Sequence, residues 1–257
     1  MRFLDMRHFF LAFSAGLISF SFQTTSYKSC FLSVFIALAV LLSYHSHHLL
    51  KLLRNQENRI LSSSQLKSSI ILYALSLFLL YFLWPLLNFQ QLIIYAIFIL
   101  VAMSISYSFL SGKLSIRNIP YLKAVFIALS WTTLCCIIPL YYSHKLFLPA
   151  STFLFFFFIL AIIADYRDRK SDPITLKTIP QILPFKRFLF LIYFLSGLFI
   201  VLNFILFGWL FFISAIFSVF TLFYYFRQFV LLNETLNTDR AIFVFGLTSL
   251  LLRAFVG

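Results

Sequence analysis

Three of the seven acidic residues in this chain fall within eight positions, in the stretch Ala164-Asp165-Tyr166-Arg167-Asp168-Arg169-Lys170-Ser171-Asp172-Pro173. They are spaced i, i+3 and i+7. A helix continuing to Asp172 would bring the three carboxylates within about 60° of one another on its wheel, and Pro173 would stop it. Like charges at that spacing repel, so the cluster requires cations. A divalent ion gripping a phosphate-bearing ligand would supply them. Local neutralisation is the other reading, since Arg169 lies near the same face of the wheel and a salt-bridged loop at a membrane edge would also fit.

Further chemistry flanks this stretch. Tyr107-Ser108-Phe109-Leu110-Ser111-Gly112-Lys113-Leu114-Ser115-Ile116-Arg117 offers a hydroxyl donor, a mobile point charge and a planar guanidinium fork to phosphate oxygens. The same residues would serve as an interface aromatic and as anchors to an anionic leaflet. Lys177, in Ile174-Thr175-Leu176-Lys177-Thr178-Ile179-Pro180, carries the same two readings. Earlier, Tyr44-His45-Ser46-His47-His48 sets His45 and His48 on one helix face, suited to a metal, a phosphate or a facing carboxylate; edge packing or interhelical hydrogen bonding fits as well. Ser130, Trp131, Thr132 and Thr133 are expected to interrupt the fifth apolar run, lining a cavity or packing small groups between helices. Nucleophile elbow, phosphate-binding glycine loop and HExxH motifs do not occur in the sequence.

The elements that must position these groups are membrane helices. Of 257 residues, 62% are hydrophobic and only 11% charged, whereas a soluble domain carries about 25% charged residues. Nine apolar runs approach the length needed to cross about 30 Å of hydrocarbon: 8–25, 30–50, 66–86, 90–109, 121–141, 147–165, 186–206, 207–227 and 239–256. Leu191 to Tyr225 is almost continuously apolar, and only Asn203 and Gly208 offer a turn there. The expected fold is an all-α, polytopic transmembrane bundle of about nine helices, one domain over 1–257.

A cytoplasmic N-terminus puts 17 of the 20 basic residues inside and leaves Lys28, Lys145 and Arg253 outside, as the positive-inside rule requires. This also explains the net charge of +13 without nucleic acid as a partner. The expected location is a bacterial cytoplasmic membrane. Arg2 and Arg7 precede an apolar run that has no convincing cleavage site, so it reads as a retained first helix. Cys30, Cys135 and Cys136 lack metal-ligand spacing and read as small buried hydrophobes. Every polar cluster opens toward the inner side, which suits a ligand with an anionic head and a greasy tail.

Taken together, these residues resemble the UbiA superfamily of integral-membrane aromatic prenyltransferases. Asp165, Asp168 and Asp172 match that family's second DxxDxxxD motif, and Thr175 to Pro180 looks like its continuation. The segment Tyr107-Ser108, Lys113, Arg117, Pro120, Lys123 and Ala128-Leu129-Ser130-Trp131 is similar to the family's stretch between its two acidic motifs. The resemblance implies that Asp165, Asp168 and Asp172 hold Mg²⁺ and serve catalysis. It also implies that Tyr107, Lys113, Arg117 and Lys177 face the diphosphate of an isoprenoid donor, and that a lipophilic, electron-rich acceptor takes the prenyl group within the membrane. At the first motif the chain departs: Tyr44, His45, His48 and Leu52 stand where NDxxDxxxD is expected. Imidazoles bind Mg²⁺ poorly. A non-catalytic lipid or isoprenoid binder, or a transport-related protein retaining the fold, is therefore the alternative.

Overall fold

The computed structural model describes residues 6–23, 27–54, 63–108, 122–143, 150–169, 177–232 and 238–256. Among them there are nine long helices and one short turn of helix, with no strand: α1 Met6–Ser21, α2 Tyr27–Arg54, α3 Ser63–Leu87, α4 Gln91–Ser108, α5 Leu122–Tyr142, α6 Ala150–Asp168, α7 Ile179–Ile182, α8 Phe185–Phe207, α9 Trp209–Leu232 and α10 Thr238–Val256. The nine apolar runs map one to one onto the long helices. Among the described residues six helices are long and apolar enough to cross a membrane, and α1 and α4 hold shorter apolar stretches. The chain is a multi-pass integral membrane protein.

Two helices organise the bundle. α1 packs against α2 and α10 at close range because small residues line both contacts. A Cβ added at Gly16 would meet the Ser33 carbonyl oxygen at 3.2 Å and Ala37 Cβ at 3.3 Å, and one at Gly246 would meet Leu17 Cβ at 3.2 Å. Such approach maximises dispersion contact where lipid removes the hydrophobic drive between helices. Polar links reinforce these helices: Gln23 Nε2 donates to Ser19 Oγ at 2.9 Å and to Ser33 Oγ at 3.1 Å, and the Ser214 and Thr248 hydroxyls lie 2.6 Å apart across α9 and α10.

The second organiser is α6, wrapped by α5 and α8. Its span is 67% buried in protein, against 11% for α3, so α6 is the helix whose side chains must be matched by protein rather than lipid. Phe156 stacks on Phe199 at 5.1 Å and lies 4.9 Å from Phe245, while Phe153 meets Phe22 edge-on at 4.6 Å. These offset and edge geometries suit aromatic quadrupoles. The Phe-rich run of α6 thus builds the core.

One alternative is resolved and two expectations are corrected. The turn in the long apolar stretch falls at Gly208, with φ +80°, where a side chain would be strained. Asn203 instead stays inside α8, its Nδ2 donating to the Phe199 carbonyl at 2.8 Å. Ser130 to Thr133 do not interrupt the fifth span: the helix continues through Thr132 and widens to π geometry over Thr133–Ile137. Pro139 follows directly, and in an unbroken α-helix its ring would collide with the Cys135 carbonyl, so a widened turn makes room. Cys135 and Cys136 are buried, but Cys30, in the first turn of α2, is exposed.

Candidate functional site

α6 does not continue to Asp172. It ends at Asp168, and Arg169 lies in a turn. Two contacts explain the stop. The Arg169 guanidinium folds back over the Tyr166 ring at 3.6 Å, and Gln181 Nε2 of α7 donates to the Arg169 carbonyl at 3.4 Å, satisfying an oxygen that a further helical turn would have used. Partial burial pulls the Arg169 guanidinium below the ordinary arginine value, though it stays charged. Tyr166, under that guanidinium, stacks on Phe188 at 4.9 Å and meets Phe226 edge-on at 5.3 Å. The end of α6 is thereby fixed to α7, α8 and α9.

The two described carboxylates of the triplet have different surroundings. Asp165 is deep: its Oδ1 lies 2.7 Å from Lys123 Nζ of α5, with the two side chains 3% and 8% exposed. Asp168 is shallow: Arg167 Nε donates to its Oδ1 at 2.7 Å and Arg167 Nη2 to its Oδ2 at 3.0 Å, with 37% and 39% exposure. Removing one partner of a buried ion pair costs about 3–5 kcal/mol, whereas exposed pairs contribute about 0–1 kcal/mol. Of these two ion pairs, Arg167–Asp168 is therefore the one that opens at the smaller cost.

In the sequence Lys123 was legible as an inner-side cation and as part of the segment that resembles the family, but not as the partner of Asp165. Its burial one residue into an apolar helix was the available signal, because a lysine there needs a partner, and α6 runs alongside α5. The neutraliser of Asp165 is thus a residue of another helix, while Arg169 is turned toward Tyr166.

The remaining candidates divide. Lys177 is exposed and takes a left-handed backbone, φ +45°, directly before Thr178, whose N–H donates to Gln181 Oε1 at 3.0 Å. Because Gln181 also binds Arg169, the Lys177 segment is tied to the end of α6. Asp172, Lys113 and Arg117 lie outside the described residues. For Tyr107, His45 and His48 the backbone is described: Tyr107 belongs to the last turn of α4, and the two histidines to α2. Tyr44, at the first-motif position, is half-buried with its ring 6.4 Å from Trp131, which stacks on Phe157 of α6 at 5.4 Å. Tyr44 and Trp131 therefore join α2, α5 and α6 through an aromatic wall. Thr132, beside it, buries a hydroxyl with no hydrogen-bond partner.

Among the described residues no group of three or more His, Cys, Asp or Glu side chains converges as a metal would need. The donor chemistry nevertheless fits magnesium at one place: Asp168 offers hard carboxylate oxygens at an accessible helix end.

No protein-family model matches the chain, and no curated protein matches it. Among solved structures it is similar to the apo structure of a UbiA homolog from Aeropyrum pernix K1, with a TM-score of 0.62 and 11% identity over 100% of this chain and 98% of that one. At that identity the likeness is one of fold: this chain is an all-α membrane bundle structurally related to a UbiA homolog over its whole length.

Proposed function

We propose that this protein transfers a prenyl group from an isoprenoid diphosphate to an aromatic or other electron-rich acceptor within the membrane, in a Mg²⁺-dependent reaction. The observation that carries this reading is the end of α6, where a buried, lysine-matched Asp165 and an accessible Asp168 sit one turn apart in a bundle with the fold of a UbiA homolog.

In this reading Asp168, with Asp172, holds the magnesium ion, which supplies positive charge against the departing diphosphate. Lys113, Arg117 and Lys177 grip diphosphate oxygens and Tyr107 donates a hydroxyl hydrogen bond. The aromatic interior shelters the tail from water. The allylic C–O bond breaks with its electron pair leaving on the diphosphate; the resulting carbocation bonds to the acceptor, which then loses a proton. Lys123 and Asp165 fix the floor of the site.

A second reading is favoured by one observation: Tyr44, His45 and His48 of α2 carry no carboxylate, so one set of oxygen ligands for Mg²⁺ is missing. The protein would then bind an isoprenoid or lipid without reacting it. Purified protein incubated with Mg²⁺, allylic diphosphates of several lengths and a lipophilic extract separates the two. Prenylated product lost in Asp168→Asn supports transfer. Tight diphosphate binding with no product supports the binder.

A further inference from the structure

We propose that the Lys123 ammonium serves as the resident cation of Asp165, so that the first aspartate of the triplet holds this lysine in place of a divalent ion. The inference rests on reading the end of α6 as a diphosphate site. Its test reads metal uptake alone, so its failure is distinguishable from failure of that reading.

Three observations lead here. Lys123 Nζ lies 2.7 Å from Asp165 Oδ1, a distance at which a charge-assisted hydrogen bond is strong. Both groups are more than nine-tenths buried. In a medium of low polarisability neither ion leaves the other cheaply. The pair sits in a packed region: α5, in which Ala124 and Ala128 are also buried, packs along α6. Asp168, by contrast, is held by an exposed neighbour on its own helix.

A fixed ammonium does part of what a second divalent ion would do. It neutralises one carboxylate permanently and leaves the field at the end of α6 less negative, so an anionic head group meets less repulsion. It needs no ligands from α2. This accords with the sequence of that helix, where His45, His48 and Leu52 occupy the positions at which the resemblance expects carboxylates. One built-in cation thus neutralises charge at the end of α6 in a chain whose α2 carries no acidic residue.

The test is uptake of Mn²⁺, a paramagnetic substitute for Mg²⁺, by the full chain in lipid nanodiscs without any isoprenoid. It is followed by loss of the free-ion paramagnetic resonance signal. Lys123→Met is expected to tighten uptake at least about tenfold by releasing Asp165 to the metal, and Lys123→Arg to leave it unchanged. The double variant Lys123→Met with Asp165→Asn, in which both charges are gone, is expected to return to within about twofold of the unmodified protein. A merely structural lysine would not tighten metal binding when removed. The proposal is overturned if Lys123→Met folds and binds Mn²⁺ no more tightly, or if the double variant loses uptake about tenfold or more. Where Lys123→Met does not fold, the double variant decides. Where the unmodified protein takes up no Mn²⁺, uptake appearing in Lys123→Met supports the proposal and its absence overturns it.

Discussion

The end of α6 and the Tyr44 region of α2 meet their neighbours in two different ways. α6 ends in charge: Asp165 is matched by Lys123 from the neighbouring α5, Asp168 by Arg167, and Arg169 folds over Tyr166. α2 approaches its end through an aromatic contact, Tyr44 against Trp131, which in turn stacks on Phe157 of α6. Among the described residues, charged contacts gather at the end of α6, and Tyr44 of α2 contributes to an aromatic wall. A buried charge with a buried partner is expensive to disturb, an exposed pair is not, and an aromatic contact is disturbed mainly by loss of volume.

Breaking the α6 pair should have the largest effect. Lys123→Met strands a buried carboxylate and is expected to cost about 3–5 kcal/mol of stability, read as a lowered unfolding midpoint in nanodiscs; adding Asp165→Asn should recover a large part of it. Next comes Asp168→Asn, which should leave stability within about 1 kcal/mol but cut pyrophosphate release roughly a hundredfold, equivalent to about 2.7 kcal/mol of barrier. On the α2 side, Trp131→Ala removes the ring between Tyr44 and Phe157; a fully buried aromatic costs about 3–5 kcal/mol, and because this ring is only half-buried the loss should fall below that range and below the loss of Lys123. The smallest effects belong to His45→Ala and His48→Ala, expected to change Mn²⁺ uptake less than about twofold because imidazole is a poor partner for such hard ions. A tenfold loss in either would give α2 a ligand role and end the contrast between the two helices.

Much of this was legible in the chain itself, because the bilayer allows few solutions: long apolar runs must be helices, and the nine runs became nine helices. Gly208 was readable as a turn candidate because glycine tolerates a positive φ, although Gly197 in the same stretch has that freedom and stays helical. The clustering of Asp165 and Asp168 on adjacent turns was readable from their spacing. What escaped was set by partners distant in sequence. The stop of α6 at Asp168 depends on Gln181 reaching back to Arg169, and the Lys123–Asp165 bridge depends on how far α5 slides along α6. Nor does composition reveal that Thr133–Ile137 widens rather than breaks, since that follows from where Pro139 falls in a helix already held on both sides.

The most direct test of the central claim is release of pyrophosphate from allylic diphosphates by the full chain in nanodiscs, with and without Mg²⁺, set beside Asp168→Asn. The account predicts release that requires Mg²⁺ and is lost in a folded Asp168→Asn variant. Release that persists undiminished in Asp168→Asn, or none from folded unmodified protein with any donor length, would contradict it.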